Sequence, residues 1–122
     1  MAQGRGTSAI VILFCMLVAS SEMAHAKTFV VGDAGGWTFK ISKWPSGKTF
    51  NAGDTLEFNY DPSAHNVVKV DEAGYNSCTA SKGSEKFQSG NDHINLVKGT
   101  NYFICTFPGH CLGDVKIAVN AA

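Results

Sequence analysis

Hydrophobic and polar residues alternate along much of the chain with the period of two that is typical of half-buried β-strands. The alternation is clearest in residues 56–60 (LEFNY) and in residues 115–119 (VKIAV). Apolar runs of similar length predict further strands at 28–31, 37–41, 65–70, 93–97 and 100–106. The pattern therefore predicts an all-β protein with seven or eight short strands.

Turn-forming residues separate these segments at short intervals. Examples are the runs at 32–36, 45–47, 61–63 and 89–91. Only residues 71–82 are predicted to contain a short helix. The aromatic residues, which include Phe39, are predicted to lie mostly in the core. Short strands joined by frequent turns, without repeats or linkers, favour an antiparallel β-sandwich with Greek-key connections.

The first 26 residues have the pattern of a secretory signal peptide. Arg5 supplies the positive charge, residues 9–19 form an apolar run too short to span a bilayer, and Ala24-His25-Ala26 forms a cleavage site. Cleavage there leaves one domain, residues 27–122. No second long apolar run and no lipid-anchor tail follow, which predicts a secreted protein without a membrane anchor.

The charge of the remaining domain is balanced. Removing Arg5 and Glu22 with the signal peptide leaves nine lysines, nine carboxylates and no arginine. Nucleic-acid binding has little electrostatic support in a chain of this kind, so no nucleic-acid partner is predicted.

Three cysteines, Cys78, Cys105 and Cys111, remain after the signal peptide, which contains Cys15. In an oxidising compartment two should form a disulfide, and the third needs another role. Pairing Cys78 with Cys111 is favoured and leaves Cys105 free. The alternative, Cys105 with Cys111, leaves Cys78 alone, and spacing does not decide between the two.

One thiol and two imidazoles form a candidate metal site. Cys105 ends a predicted strand, His110 follows five residues later, and His65 begins another predicted strand. A thiolate with two imidazoles suits copper that cycles between Cu(II) and Cu(I), and also suits zinc. Asn66 and Thr106 each follow a candidate ligand, and they either form a hydrogen bond that holds the two strands together or are ordinary polar strand ends.

A family resemblance rests on the signal peptide and on four further segments. These segments are VGDAGGWTF, FNAGDTLEFNYDPSAHNVVKV, AGYNSC and NYFICTFPGHCLGDVKIAVNAA. With them the chain resembles the plantacyanins, the basic blue protein branch of the plant phytocyanins, which are secreted cupredoxins. The resemblance implies a cupredoxin-like fold, copper ligands at His65, Cys105 and His110, and a disulfide between Cys78 and Cys111. It also implies one copper ion and electron transfer.

The same resemblance implies a location in the extracellular space, the apoplast or cell wall, and an unidentified redox partner, a small molecule or a protein. We expect a monomer. No second metal site and no nucleophile paired with a base are recognisable, so no enzymatic activity is predicted.

The chain departs from the family at the axial copper ligand. Plantacyanins have a methionine ten residues after the cysteine ligand, where this chain has Val115. All three methionines lie in the signal peptide, and Gln88, the only glutamine after it, lies outside the ligand loop. On the strand alternation, Asp114 faces away from the side of Val115. We therefore expect an axial position without a ligand.

The missing methionine leaves a second function open. The alternative is an extracellular recognition or signalling module of the cell wall with weak copper binding or none. The retained thiol and two imidazoles favour the electron-transfer function over this alternative.

Overall fold

A computed structural model describes residues 26–122, so the predicted signal peptide lies outside the described residues except for Ala26. Within that range the chain forms seven strands and one α-helix, α1 (Glu72–Ser77). The strands are β1 (Thr28–Val30), β2 (Thr55–Asn59), β3 (Val67–Val70), β4 (Lys86–Phe87), β5 (Asn91–Asn95), β6 (Gly99–Ile104) and β7 (Lys116–Ala121). No helix in this range is both long enough and apolar enough to cross a membrane.

The strands form two sheets, one with the order β1-β2-β5 and one with the order β4-β3-β6-β7. Antiparallel pairs dominate: Leu56 of β2 lies opposite Ile94 of β5, and Phe103 of β6 lies opposite Ile117 of β7. This arrangement, with one short helix, confirms the predicted sandwich class.

The pairing of β1 with β2 is a correction to the antiparallel prediction, because these strands are parallel, with Phe29 beside Leu56. The chain makes a long excursion through residues 31–54 between them. A connection of that length returns the chain to the same end of the sheet, so β2 runs in the direction of β1.

The core lies between the sheets and is built by the predicted alternation. Leu56 and Phe58 of β2 are buried, as are Ile117 and Val119 of β7. Phe58 is in contact with Phe103, with ring centroids 5.2 Å apart. Each such side chain contributes about 1.5–3 kcal/mol by leaving water.

Residues 37–41 are not a strand, which corrects a second prediction. Lys40 has a φ of 60°, a left-handed conformation that interrupts an extended segment. Its N–H donates to the carbonyl of Gly113 (3.1 Å), and the N–H of Ile41 donates to the carbonyl of Asp114 (3.0 Å). The segment is therefore hydrogen-bonded to the loop before β7 instead of to a sheet.

Helix α1 is the short helix predicted in residues 71–82. Asp71 caps its start, because its Oδ1 accepts a hydrogen bond from the N–H of Gly74 at 2.8 Å. The helix ends at Cys78, whose φ of 57° is left-handed. This end places Cys78 beside the loop between β6 and β7.

Candidate metal centre

Two neighbouring strands bring the distant candidate ligands together. His65 lies just before β3, and Cys105 lies directly after β6. Because β3 and β6 are antiparallel, with Val68 opposite Ile104, the start of one strand adjoins the end of the other. His110 lies on the segment that follows Cys105; residues 105–115 are called the ligand loop below.

The donor atoms of the three residues converge. Cys105 Sγ lies 3.7 Å from His65 Nδ1 and 3.8 Å from His110 Nδ1, and the two nitrogens are 3.0 Å apart. Metal bonds of about 2.0–2.3 Å to nitrogen and sulfur place neighbouring donors roughly 3–4 Å apart. The arrangement therefore fits one small transition-metal ion, and copper suits this donor set.

The surroundings of the donors favour metal binding. Cys105 is a free, fully buried thiol, and His65 is only 6% exposed. Burial lowers the pKa of His65, the nearby His110 lowers it further, and Asp61 acts in the opposite direction. A lowered pKa favours the neutral ring, which is the form that binds a metal.

The ligand loop is closed by backbone hydrogen bonds. Cys105 N–H donates to the carbonyl of Val115 (3.0 Å), and Val115 N–H donates to the carbonyl of His110 (3.1 Å). Val115 is fully buried in the same cluster as Cys105. Its side chain has no donor atom, and the exposed Asp114 is not among the converging groups. The centre thus has three protein donors within the described part of the chain.

The disulfide joins Cys78 to Cys111, with an S–S distance of 2.07 Å. This confirms the favoured pairing and excludes the bond between Cys105 and Cys111. It tethers the end of α1 to the residue next to His110, and it leaves the sulfur of Cys105 free for a metal.

Asn66 and Thr106 are joined by two hydrogen bonds. Thr106 N–H donates to Asn66 Oδ1, and Asn66 Nδ2 donates to Thr106 Oγ1, both at 2.8 Å. The backbone carbonyl of Asn66 also accepts from Trp37 Nε1 at 2.8 Å, a contact that no sequence signal indicated. The residues next to His65 and Cys105 are therefore held in a fixed relation.

Phe39 is a contributor that the sequence interpretation missed. It is 46% exposed, not a core residue, and its ring lies 5.5 Å from the His65 ring and 4.8 Å from the His110 ring, between centroids. A Cβ at Gly113 would lie only 2.8 Å from Cδ1 of Phe39. Since the φ of Gly113 is not left-handed, this glycine is needed for space, so that Phe39 can contact both imidazoles.

Replacing Gly113 by alanine tests this packing. We expect Gly113→Ala to destabilise the domain by about 1–3 kcal/mol, because the methyl group must displace the Phe39 ring or the loop. Chemical unfolding of the metal-free protein measures the loss. Gly35→Ala is the matched control, since Gly35 also has no left-handed φ and has nothing within 4 Å of an added Cβ. Equal unfolding midpoints for the two variants would contradict the packing role.

Apolar residues flank His110 in the ligand loop. Phe107 lies 5.6 Å from it between ring centroids, and Leu112 is 82% exposed. Pro108 is exposed as well. His110 is less buried than His65 and Cys105, so it is the donor residue nearest the surface, with apolar residues beside it in the loop.

Residues 37–115 match the family model for the plastocyanin-like domain. Chemocyanin from Lilium longiflorum is 56% identical, and the alignment covers 100% of each chain. Basic blue protein from Arabidopsis thaliana is 50% identical over 99% of each chain. The solved structure of cucumber basic protein, described as a blue copper protein, superimposes with a TM-score of 0.77 at 55% identity, covering 78% of this chain and 99% of its own. The family match includes all three converging donors and Val115.

Proposed function

Because this chain belongs to the phytocyanin family of plastocyanin-like blue copper proteins, we propose that it is a secreted electron carrier with one copper ion. His65, Cys105 and His110 would hold the ion, and Val115, at the position where relatives of this type have a methionine, would have no donor atom to offer it. The observation that carries this proposal is the convergence of the three donor atoms at mutual distances of 3.0–3.8 Å. The descriptions of two similar proteins, basic blue protein and a blue copper protein, support copper-based electron transfer without enzymatic activity.

The protein would contribute the donor atoms for the metal and would hold them in position during electron transfer. Copper, when bound, supplies a one-electron couple between Cu(II) and Cu(I). Cys105 provides the soft thiolate, and His65 and His110 provide neutral imidazoles. The Asn66–Thr106 hydrogen bonds and the disulfide beside His110 hold these donors in nearly constant positions. A site that does not rearrange suits both oxidation states and keeps the barrier to electron transfer low.

Electrons would enter and leave at the apolar edge of His110. A partner that packs against Phe107, Pro108 and Leu112 reaches the donor nearest the surface. The balanced charge of residues 27–122 gives little long-range steering, so contact at this edge selects the partner. We further propose that the signal peptide is cleaved after Ala26 and that the protein acts as a monomer in the apoplast or cell wall.

Titration of the purified, signal-free protein with Cu(II), together with elemental analysis, tests the copper site. We expect one copper per chain and an intense visible band from thiolate-to-copper charge transfer. If no band appears while Cys105 remains a free thiol, the recognition module without copper or a zinc site at the same residues is supported instead.

The axial position gives a prediction about reduction potential. Val115→Met should lower the potential by on the order of 59 mV, a tenfold change in a one-electron equilibrium. The buried valine offers Cu(II) no donor and keeps water away, so the wild-type site penalises the more highly charged state. Voltammetry measures the difference, and Val115→Leu controls for added bulk without sulfur. A potential that rises on adding methionine contradicts the prediction.

A further inference from the structure

Asp54 is a buried carboxylate outside the metal centre. It lies just before β2, and the residue is only 1% exposed. Its Oδ1 accepts a hydrogen bond from the backbone nitrogen of Lys27 (2.9 Å), and its Oδ2 accepts one from the backbone nitrogen of Asn51 (2.8 Å). Its own backbone bonds to Asn51 and Leu96, which fixes the carboxylate in place.

This carboxylate lacks a cation. Within residues 26–122 the one close contact between a basic side chain and a carboxylate joins His93 to Glu57, and no lysine side chain pairs with Asp54. Buried carboxylates in proteins are usually paired with a positive charge, because removal from water costs far more than two neutral hydrogen bonds restore.

The nitrogen in contact with Oδ1 belongs to the residue that would become the first of the mature chain. In the precursor it is the neutral amide nitrogen of the Ala26–Lys27 bond. Hydrolysis of that bond by a secretory endopeptidase consumes one water molecule and leaves a carboxylate on Ala26. The new α-amino group of Lys27 takes up a proton, since such groups have a pKa of about 7.7–8.0.

We propose that cleavage after Ala26 creates an ion pair between the α-ammonium group of Lys27 and the buried carboxylate of Asp54, so that maturation itself stabilises the domain. The inference rests on the secretion and cleavage proposed above. The 2.9 Å contact then joins opposite charges, and charge-assisted hydrogen bonds are the strong ones.

The Lys27–Asp54 pair lies where it would hold strand β1 in its sheet. The carbonyl of Lys27 accepts from the N–H of Thr55 at 2.8 Å, immediately before β1 begins to pair with β2. Strand β1 has only three residues and lies at the edge of its sheet. An ion pair at Lys27, the residue before β1, would anchor this short edge strand.

A double-mutant cycle tests the ion pair. The cucumber relative, 99% of which aligns with 78% of this chain, indicates that a chain of domain length folds alone. Four proteins in the same metal-loaded state are compared: chains that begin at Lys27 or at Ala24, each with Asp54 or with Asp54→Asn. With Asp54 present, we expect the chain that begins at Lys27 to have a folding equilibrium constant about tenfold to a hundredfold larger than that of the chain that begins at Ala24. With Asp54→Asn, we expect the two chains to have nearly the same folding equilibrium constant.

Two further measurements complete the test. Acetylation of the Lys27 α-amino group keeps an N–H donor but removes the charge, so it should reproduce the loss seen in the chain that begins at Ala24, even if Asp54→Asn fails to fold. Intact mass of the full chain secreted from eukaryotic cells should identify Lys27 as the first residue. A different first residue overturns the maturation step, while copper binding is unaffected. If Lys27 is the first residue but acetylation causes no loss of stability, the ion pair is overturned and the cleavage site is not.

Discussion

Replacing Cys105 by serine is expected to abolish the intense visible band of the copper-loaded protein. The band requires a thiolate bound to copper, and Cys105 is the free thiol of the described chain. Its Sγ lies within 3.8 Å of both candidate imidazole nitrogens. Serine keeps the shape of the side chain but supplies a hard oxygen that is protonated at neutral pH, so copper affinity should also fall sharply. Absorption spectroscopy with copper analysis measures both effects.

Thiol counting provides the control for this variant. The denatured, signal-free wild-type protein should contain one reactive thiol per chain, and Cys105→Ser should contain none, since Cys78 and Cys111 are bonded to each other. A visible band that survives the substitution would show that the sulfur of Cys105 is not a ligand, and the electron-carrier proposal would fail with it.

Removing the disulfide by the paired changes Cys78→Ala and Cys111→Ala is expected to cost about 3–4 kcal/mol of unfolding free energy. The two cysteines are 33 residues apart in sequence, and a cross-link of that span restricts the unfolded chain considerably. Because Cys111 follows His110 directly, the loss should also weaken metal binding. Urea unfolding of the metal-free protein measures the first effect, and copper titration measures the second.

Chemical reduction of the wild-type protein is the matched control, since it breaks the same bond without changing a residue. The reduced protein and the double variant should unfold at similar urea concentrations. A double variant that unfolds within about 1 kcal/mol of the oxidised wild type would contradict the chain-entropy account of this bond.

The alternation of apolar and polar residues predicted β2 and β7 well because each has one face on the core. The same signal failed at residues 37–41, where Trp37, Phe39 and Ile41 alternate like a strand. There the left-handed Lys40 and the hydrogen bonds to residues 113 and 114 determine the conformation. Those partners are distant in sequence, so no local pattern contains them. The parallel β1–β2 pair was missed for a related reason, since strand direction depends on the path of the intervening chain.

The metal centre was more accessible to sequence reasoning than its supporting contacts. A thiol and two histidines at ligand spacing restrict the chemistry by residue type alone, and an odd number of cysteines predicts one free sulfur. The contact between Phe39 and Gly113 has no such signature, because neither residue carries distinctive chemistry. The Lys27–Asp54 contact was equally hidden, since its donor is a backbone nitrogen that any residue would supply.

The ligand loop begins and ends at one backbone hydrogen bond, from Cys105 N–H to the carbonyl of Val115. Because this bond continues the β6–β7 pairing, the loop is a closed excursion whose length does not affect the register of the sheet below it. A change in the length of this loop would therefore disturb the metal centre and the contacts at Cys111 and Gly113 without shifting the pairing of β6 with β7.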